Sequence, residues 1–185
     1  VSLQDYQDFA RAFSGIEKAL ATPVQVGEKH GVFVTIAGTK GAAVATDSQL
    51  FSSLLTAISD AGDTTVPFIV KSYQPRFFRL SAQVKLDPEY LPEKVLAQIE
   101  QELRDRFSFE ARDFGQPVHR SEVIALIQGI KGVVSVNVKQ FYRSDENPTT
   151  HLHLVAAVPA PGGQDLTSAE ILMLDPQPLT FEVLK

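Results

Sequence analysis

Apolar positions along this chain recur with two periods, and the period changes wherever glycine, proline or a small polar residue intervenes. The clearest case is Phe114 to Tyr142. Gly115 and Pro117 mark a loop, and His119 or Ser121 caps a helix with Glu122 in its positive first turn. Val123, Ile124, Ile127 and Ile130 form one apolar helix face, and Gly129 and Gly132 bracket its end. From there the period drops to two: Val134, Val136 and Val138 point one way, and Ser135, Asn137 and Lys139 the other. A helix that folds back onto the strand following it is a packing unit.

The same reading applies from the start. Ser2 to Asp5 has the logic of a capping box, and Leu3, Tyr6, Phe9, Ala10 and Phe13 share one helix face that ends at Ser14-Gly15. Ile16 to Val26 reads as a strand, with Pro23 indicating an edge or bulge. A turn at 27–31 and the alternation around Val32, Val34 and Ile36 complete a hairpin. Residues 38–46 read as a loop, Asp47 as the cap of a helix to about Ile58, 60–67 as a turn, and Phe68 to Tyr73 as a strand. After the join at Gln74-Pro75, Phe78, Leu80, Ala82, Val84 and Leu86 alternate with Phe77, Arg79, Ser81, Gln83 and Lys85 in a half-buried strand. Asp87-Pro88 breaks it. A helix from about Leu91 to Arg106 follows, with Glu100–Arg104 and Glu102–Arg106 spaced as surface ion pairs. After Tyr142, 143–150 is a polar connection, Leu152 and Leu154 alternate with His151 and His153, and 159–165 is a flexible proline–glycine loop. Glu170 to Lys185 reads as an extended arm.

These elements predict an α+β fold of two small modules, α-β-β-α-β over residues 1–74 and β-α-α-β-β over 75–158, with mostly antiparallel or mixed sheets. The loop and C-terminal arm occupy 159–185. The segments starting at Asp5 and Arg120 both run helix, Gly-Ile, strand, which fits two related αβ units and equally the general likeness of helix-turn-strand units.

Composition narrows the functions. The chain has 185 residues, 44% of them hydrophobic, enough for one large or two small cores. A net charge of −5 with interspersed signs argues against a basic nucleic-acid face. The lack of cysteine removes disulfides, thiolate metal ligands and a cysteine nucleophile. No apolar run is long enough for a membrane-spanning helix. The chain begins at Val1 and its methionine is Met173, as expected of a piece of a longer protein or a processed chain.

Candidate chemistry is thin. His151 and His153 are spaced as two metal ligands on one strand face, but a zinc or iron site needs a third ligand, and paired surface imidazoles are the simpler reading. The carboxylate pairs Asp87/Glu89 and Asp145/Glu146 sit at a strand end and in a turn, where acids are ordinary caps. Gly38-Thr-Lys-Gly41 lacks the full phosphate-loop pattern. Lys71, Tyr73, Arg76, Phe77 and Arg79 resemble a stacking platform for single-stranded nucleic acid, which the acidic total disfavours. No serine–histidine–aspartate arrangement is readable, so no catalytic residue and no cofactor are expected. What stands out instead is apolar material expected to face outward on strands. Phe33, Phe77 and Phe141, with Arg79, are the candidate interface.

Two segments carry a family resemblance. SLQDYQDFARAFSGIEKA and FGQPVHRSEVIALIQGIKGVVSV resemble the corresponding helix segments of baseplate J-like proteins, in the same order, with LDPEY between them and LMLDP near the end. The resemblance spans nearly the whole chain and is carried by the combination of pieces. It implies a structural, non-enzymatic wedge component of the baseplate of a contractile-tailed phage or extracellular injection system, placed in the C-terminal part of a longer protein. The implied partners are other baseplate subunits, such as wedge, sheath, tube or spike proteins, with no nucleic acid, membrane or small-molecule substrate. The implied location is the bacterial cytoplasm during assembly, then the virion or injection particle. On this reading the edge strands and the arm after Pro159 dock onto neighbours. The alternatives are a ferredoxin-like regulatory module that binds a small molecule, and an enzyme using a metal at His151 and His153.

Overall fold

The computed structural model describes residues 2–62, 65–164 and 166–184. Asp63 and Thr64 of the predicted 60–67 turn, Asp165 of the 159–165 loop, and Val1 and Lys185 lie outside the described residues. The architecture is α+β with mixed sheets, and the chain divides into two compact units: Val1–Pro75 with Ala157–Glu170, and Arg76–Ala156 with Ile171–Lys185. The sequence reading instead places its boundaries at 74/75 and 158/159.

In the first unit, Ser2 caps α1 (Leu3–Ala12): its Oγ accepts from the Asp5 N–H, and the Asp5 carboxylate accepts from the Ser2 N–H at 2.6 Å. This reciprocal pair satisfies two donors that a helix start leaves open and lowers the Asp5 pKa. β1 (Ile16–Val26) and β2 (Lys29–Gly38) form the antiparallel hairpin, and β3 (Phe68–Ser72) lies parallel to β2. A parallel pair needs a crossover, which α2 (Gln49–Ala61) provides. Its cap is Ser48 and not Asp47, since Ser48 Oγ accepts from the Phe51 N–H at 3.2 Å. Val32, Val34 and Ile36 of β2 join Tyr6, Leu54 and Ile58 in one apolar core.

The opposite face of β2 is also covered. Phe33 is 0% exposed, as is Thr35, whose hydroxyl accepts from the Ala169 N–H at 3.1 Å. Lys71 Nζ lies 6.0 Å from the Phe33 ring centroid and donates to the Leu166 carbonyl at 3.0 Å. The expectation of an outward Phe33 is therefore corrected: β2 is a central strand buried on both faces, so alternation does not separate core from surface there.

The second unit is built on β4 (Gln74–Leu86), α3 (Pro92–Arg106), β5 (Val118–His119), α4 (Arg120–Gln128), β6 (Val133–Arg143), β7 (His153–Leu154), β8 (Glu170–Leu174) and β9 (Thr180–Leu184). β4 pairs antiparallel with β6 on one side; on its other side it has β8 and then β9, which is parallel to it. Val95, Ile99 and Leu103 of α3 and Val123 and Ile127 of α4 pack on the apolar side of this sheet. Arg104 pairs with Glu100 at 2.8 Å as the spacing predicts, whereas Arg106 pairs with Glu122 at 3.1 Å and not with Glu102. Gly132 has φ +94° at the turn into β6, and a Cβ there would stand 2.9 Å from the Tyr90 ring.

β6 departs from its predicted alternation at two bulges. Its register against β4 slips between Lys85 and Leu86, and again between Ser81 and Ala82. The first slip leaves Val134 without a partner and 52% exposed, while Val133 opposite Leu86 turns partly inward. The second resets parity, so Phe141 sits opposite Leu80 on the core side and is 0% exposed. One inserted residue moves every later side chain to the other face. This corrects the expectation that Phe141 faces outward. It packs edge-on to Phe78, with ring centroids 5.7 Å apart.

The C-terminal stretch is extended, but it is not a free arm. β8 is buried along its length, from Glu170 to Leu174, and the Asp175 N–H donates to the Phe78 carbonyl at 2.9 Å. An uninterrupted run such as EILML suits a strand covered on both faces.

Candidate interaction surface

The residues singled out for chemistry have other employment. His151 Nε2 lies 3.0 Å from Glu146 Oε1, whereas His153 faces His119 across the short β5–β7 ladder, with ring centroids 5.9 Å apart. The two imidazoles thus turn to different partners, and among the described residues no group of three histidine, aspartate or glutamate side chains could hold a metal ion. Asp87 accepts from the Glu89 N–H at 2.9 Å, and Asp145 holds Arg143 at 2.9 Å, which lowers its pKa. Both are turn-fixing roles. Tyr73 is buried, and its hydroxyl donates to the Gly41 carbonyl at 2.7 Å; burial raises its pKa.

Of the four candidate interface residues, Phe33 and Phe141 are core. Phe77 is half-buried and Arg79 is 40% exposed by side chain, two positions apart on the wet face of β4. Arg79 Nε donates to Asp175 Oδ2 at 2.9 Å. That contact belongs to a network the sequence reading misses, because its members lie far apart in the chain. Asp175 Oδ1 also accepts from the Gln177 N–H at 2.9 Å, and Arg104 donates to the carbonyls of Asp175 at 3.0 Å and Gln177 at 2.8 Å. The turn from β8 to β9 is thereby fixed, and so is the position of β9. Burial pushes the Asp175 pKa up, but the Gln177 N–H, Arg79 and Arg104 together outweigh it and lower the value.

Arg112 is the other missed residue. It is 1% exposed and donates to the carbonyls of Leu172 (3.3 Å), Gln116 (2.9 Å) and Pro117 (2.8 Å), with its guanidinium over the Phe107 ring. Burial lowers its pKa.

Large apolar side chains reach the surface where alternation did not place them. Leu152 is 70% exposed and Val155 58%, on the segment around β7, and Val183 and Leu184 are exposed on β9. Patches of this kind mark association sites when they meet an unfinished hydrogen-bonding edge, so each strand edge matters. The outer edge of β1 meets the Gln7 side chain at Ala21 and residues 162–163 near Pro23. That of β6 is bulged, and its Phe141 N–H and carbonyl bond to Thr149 and His151. The Leu174 N–H of β8 donates to Phe107, and the Leu172 carbonyl accepts from Arg112. β3 follows Pro67 and carries exposed Lys71, features that discourage strand addition. β9 pairs only with β4 among the described residues, and its own residues, Thr180 to Leu184, include neither proline nor lysine and pair with β4 without a bulge.

Comparison with known proteins adds three findings. No curated protein matches the chain significantly. A solved structure described as "Cryo-EM structure of the anti-feeding prophage (AFP) baseplate, 6-fold symmetrised" is similar at 13% identity and a TM-score of 0.47. That match covers 94% of this chain and 38% of the other, so the chain spans well under half the length of the protein it resembles. The family comparison falls on the first unit, where the capping box, the hairpin and β3 lie: residues 1–71 match the family model of the Baseplate J-like central domain.

Proposed function

We propose that the chain is a structural part of a phage-like baseplate and works through contacts with other baseplate subunits, not through catalysis. The observation that carries this is the match of residues 1–71 to the Baseplate J-like central domain. Two features of the molecule support it. The histidines and carboxylates that could have done chemistry are held in turns and pairs. The free resources of the surface are exposed apolar side chains and the open edge of β9, which are means of binding protein.

The finer reading is a wedge or assembly role, with partners among the wedge, sheath, tube or spike proteins, assembly in the bacterial cytoplasm, and residence in the finished virion or injection particle. To test it, the full protein containing this chain is tagged in its host, particles are isolated by sedimentation, and their proteins are identified by mass spectrometry. The expected result is the tagged chain in the particle fraction together with sheath and tube proteins. Its recovery in soluble fractions alone, while particles form without it, removes the reading.

A further inference from the structure

β9 is short, exposed on most of its length and, among the described residues, hydrogen-bonded to a strand on one side only. Its pairing fixes which way its side chains face. Phe181 and Val183 stand opposite Ala82 and Val84 on the core side, while Thr180, Glu182 and Leu184 stand opposite Ser81, Gln83 and Lys85 on the wet side. Glu182 is the charged residue of the strand, and Gln83 Nε2 donates to its Oε2 at 2.7 Å, which holds the carboxylate over the wet face. The turn before β9 is fixed by Arg79, Arg104 and Asp175, so the edge is held ready and need not be assembled on binding.

We propose that this edge takes one extended strand from a different protein chain, with alternating apolar and polar residues and a lysine or arginine set against Glu182. An unpaired strand edge offers backbone donors and acceptors to any extended segment, so selection falls to the side chains. A second copy of this chain is the occupant that Glu182 disfavours. Any self-pairing that keeps all of β9 in register sets Glu182 beside Glu182, and like charges directly opposite on a sheet are destabilising. A basic residue there turns the same position into an attraction, and apolar neighbours cover Val183 and Leu184. The inference rests on the baseplate reading only for the identity of the chain that supplies the strand.

The test separates the two. The probe is the blocked peptide acetyl-Thr-Val-Lys-Val-Thr-amide, with a glutamate-centred twin and a version N-methylated at alternate amides. Binding to the full chain is followed by NMR titration and by hydrogen exchange of residues 180–184. The lysine-centred peptide is expected to bind saturably and slow exchange at those amides, and N-methylation to abolish both effects. Glu182→Lys is expected to weaken it by about tenfold and to confer binding of the glutamate-centred peptide, the swing of one cross-strand charge pair from attraction to repulsion. Circular dichroism confirms that the variant is folded. No saturable binding, binding mapped elsewhere, or binding indifferent to both swaps overturns the proposal, as does a wild-type chain that dimerises through β9. In the host, particles that lack even the wild-type chain remove the baseplate reading and leave the peptide result to decide this one. Particles that contain the wild-type chain but exclude Glu182→Lys support both.

Discussion

Tyr6 is 4% exposed, and its hydroxyl has no hydrogen-bond partner among the described residues. It lies beside a shallow pocket lined by Phe9, Ile58, Ala61 and Gly62. A buried hydroxyl without a partner costs free energy that phenylalanine does not incur. Tyr6→Phe is therefore expected to raise the stability of the isolated chain by about 1 kcal/mol. Urea denaturation followed by circular dichroism measures this, and a less stable variant shows that the hydroxyl is satisfied in solution. Arg112 is the opposite case, a buried polar group with its partners supplied. Arg112→Met keeps much of the volume but strips donors from three carbonyls, at Leu172, Gln116 and Pro117. The expected cost is about 3 kcal/mol in the same experiment; a change below about 1 kcal/mol would mean that water replaces those donors without loss.

Among the elements, the β8–turn–β9 stretch shows how local and distant information divide. α1, α3 and β4 are legible in the sequence because their signals are local: a capping box in α1, apolar Leu91, Val95, Ile99 and Leu103 at every fourth position along α3, and strict alternation in β4. The bulges of β6 are not, since Lys139 and Gln140 look like any exposed strand residues, and the parity of Phe141 follows from pairing alone. Nor is β9, whose Glu182 meets Gln83 across 99 positions of sequence. The tertiary placement makes two predictions. Removing residues 170–185 strips a strand buried throughout, and four large apolar side chains at about 2 kcal/mol each rival the whole stability of a small domain. That deletion is expected to leave the second unit unfolded, contrary to the docking-arm reading, whereas removing only 180–185 leaves a folded chain with a lower melting temperature. The network at Asp175 adds a pH dependence. Its carboxyl has a lowered pKa in the folded chain, so its contribution is fully present above the unfolded value of about 3.9 and is lost as pH falls through the folded value. Hydrogen exchange at 180–184 is expected to quicken as pH drops below about 4, after correction for intrinsic rates. In Asp175→Asn it should be fast already at neutral pH and show no such step. A step of equal size in the variant assigns it to another carboxylate.

On the scale of the whole chain, the two units are interleaved in sequence: the first is left at Pro75, rejoined at Ala157 and left again after Glu170. The rejoining segment is structural, because it covers the face of β2 that carries Phe33 and Thr35. A break at 74/75, where the sequence shows its weakest join, therefore cannot release a complete first unit. The family match ends at residue 71 and likewise leaves that cover out. A fragment ending at Pro75 is expected to expose Phe33 and to aggregate or bind a hydrophobic dye. The same fragment joined through a flexible linker to 157–170 is expected to be monomeric and to melt cooperatively. Equal behaviour of the two fragments in size-exclusion chromatography and thermal melting would show that β2 holds its hairpin without the returning segment. The fold of the first unit would then be self-sufficient within residues 1–75.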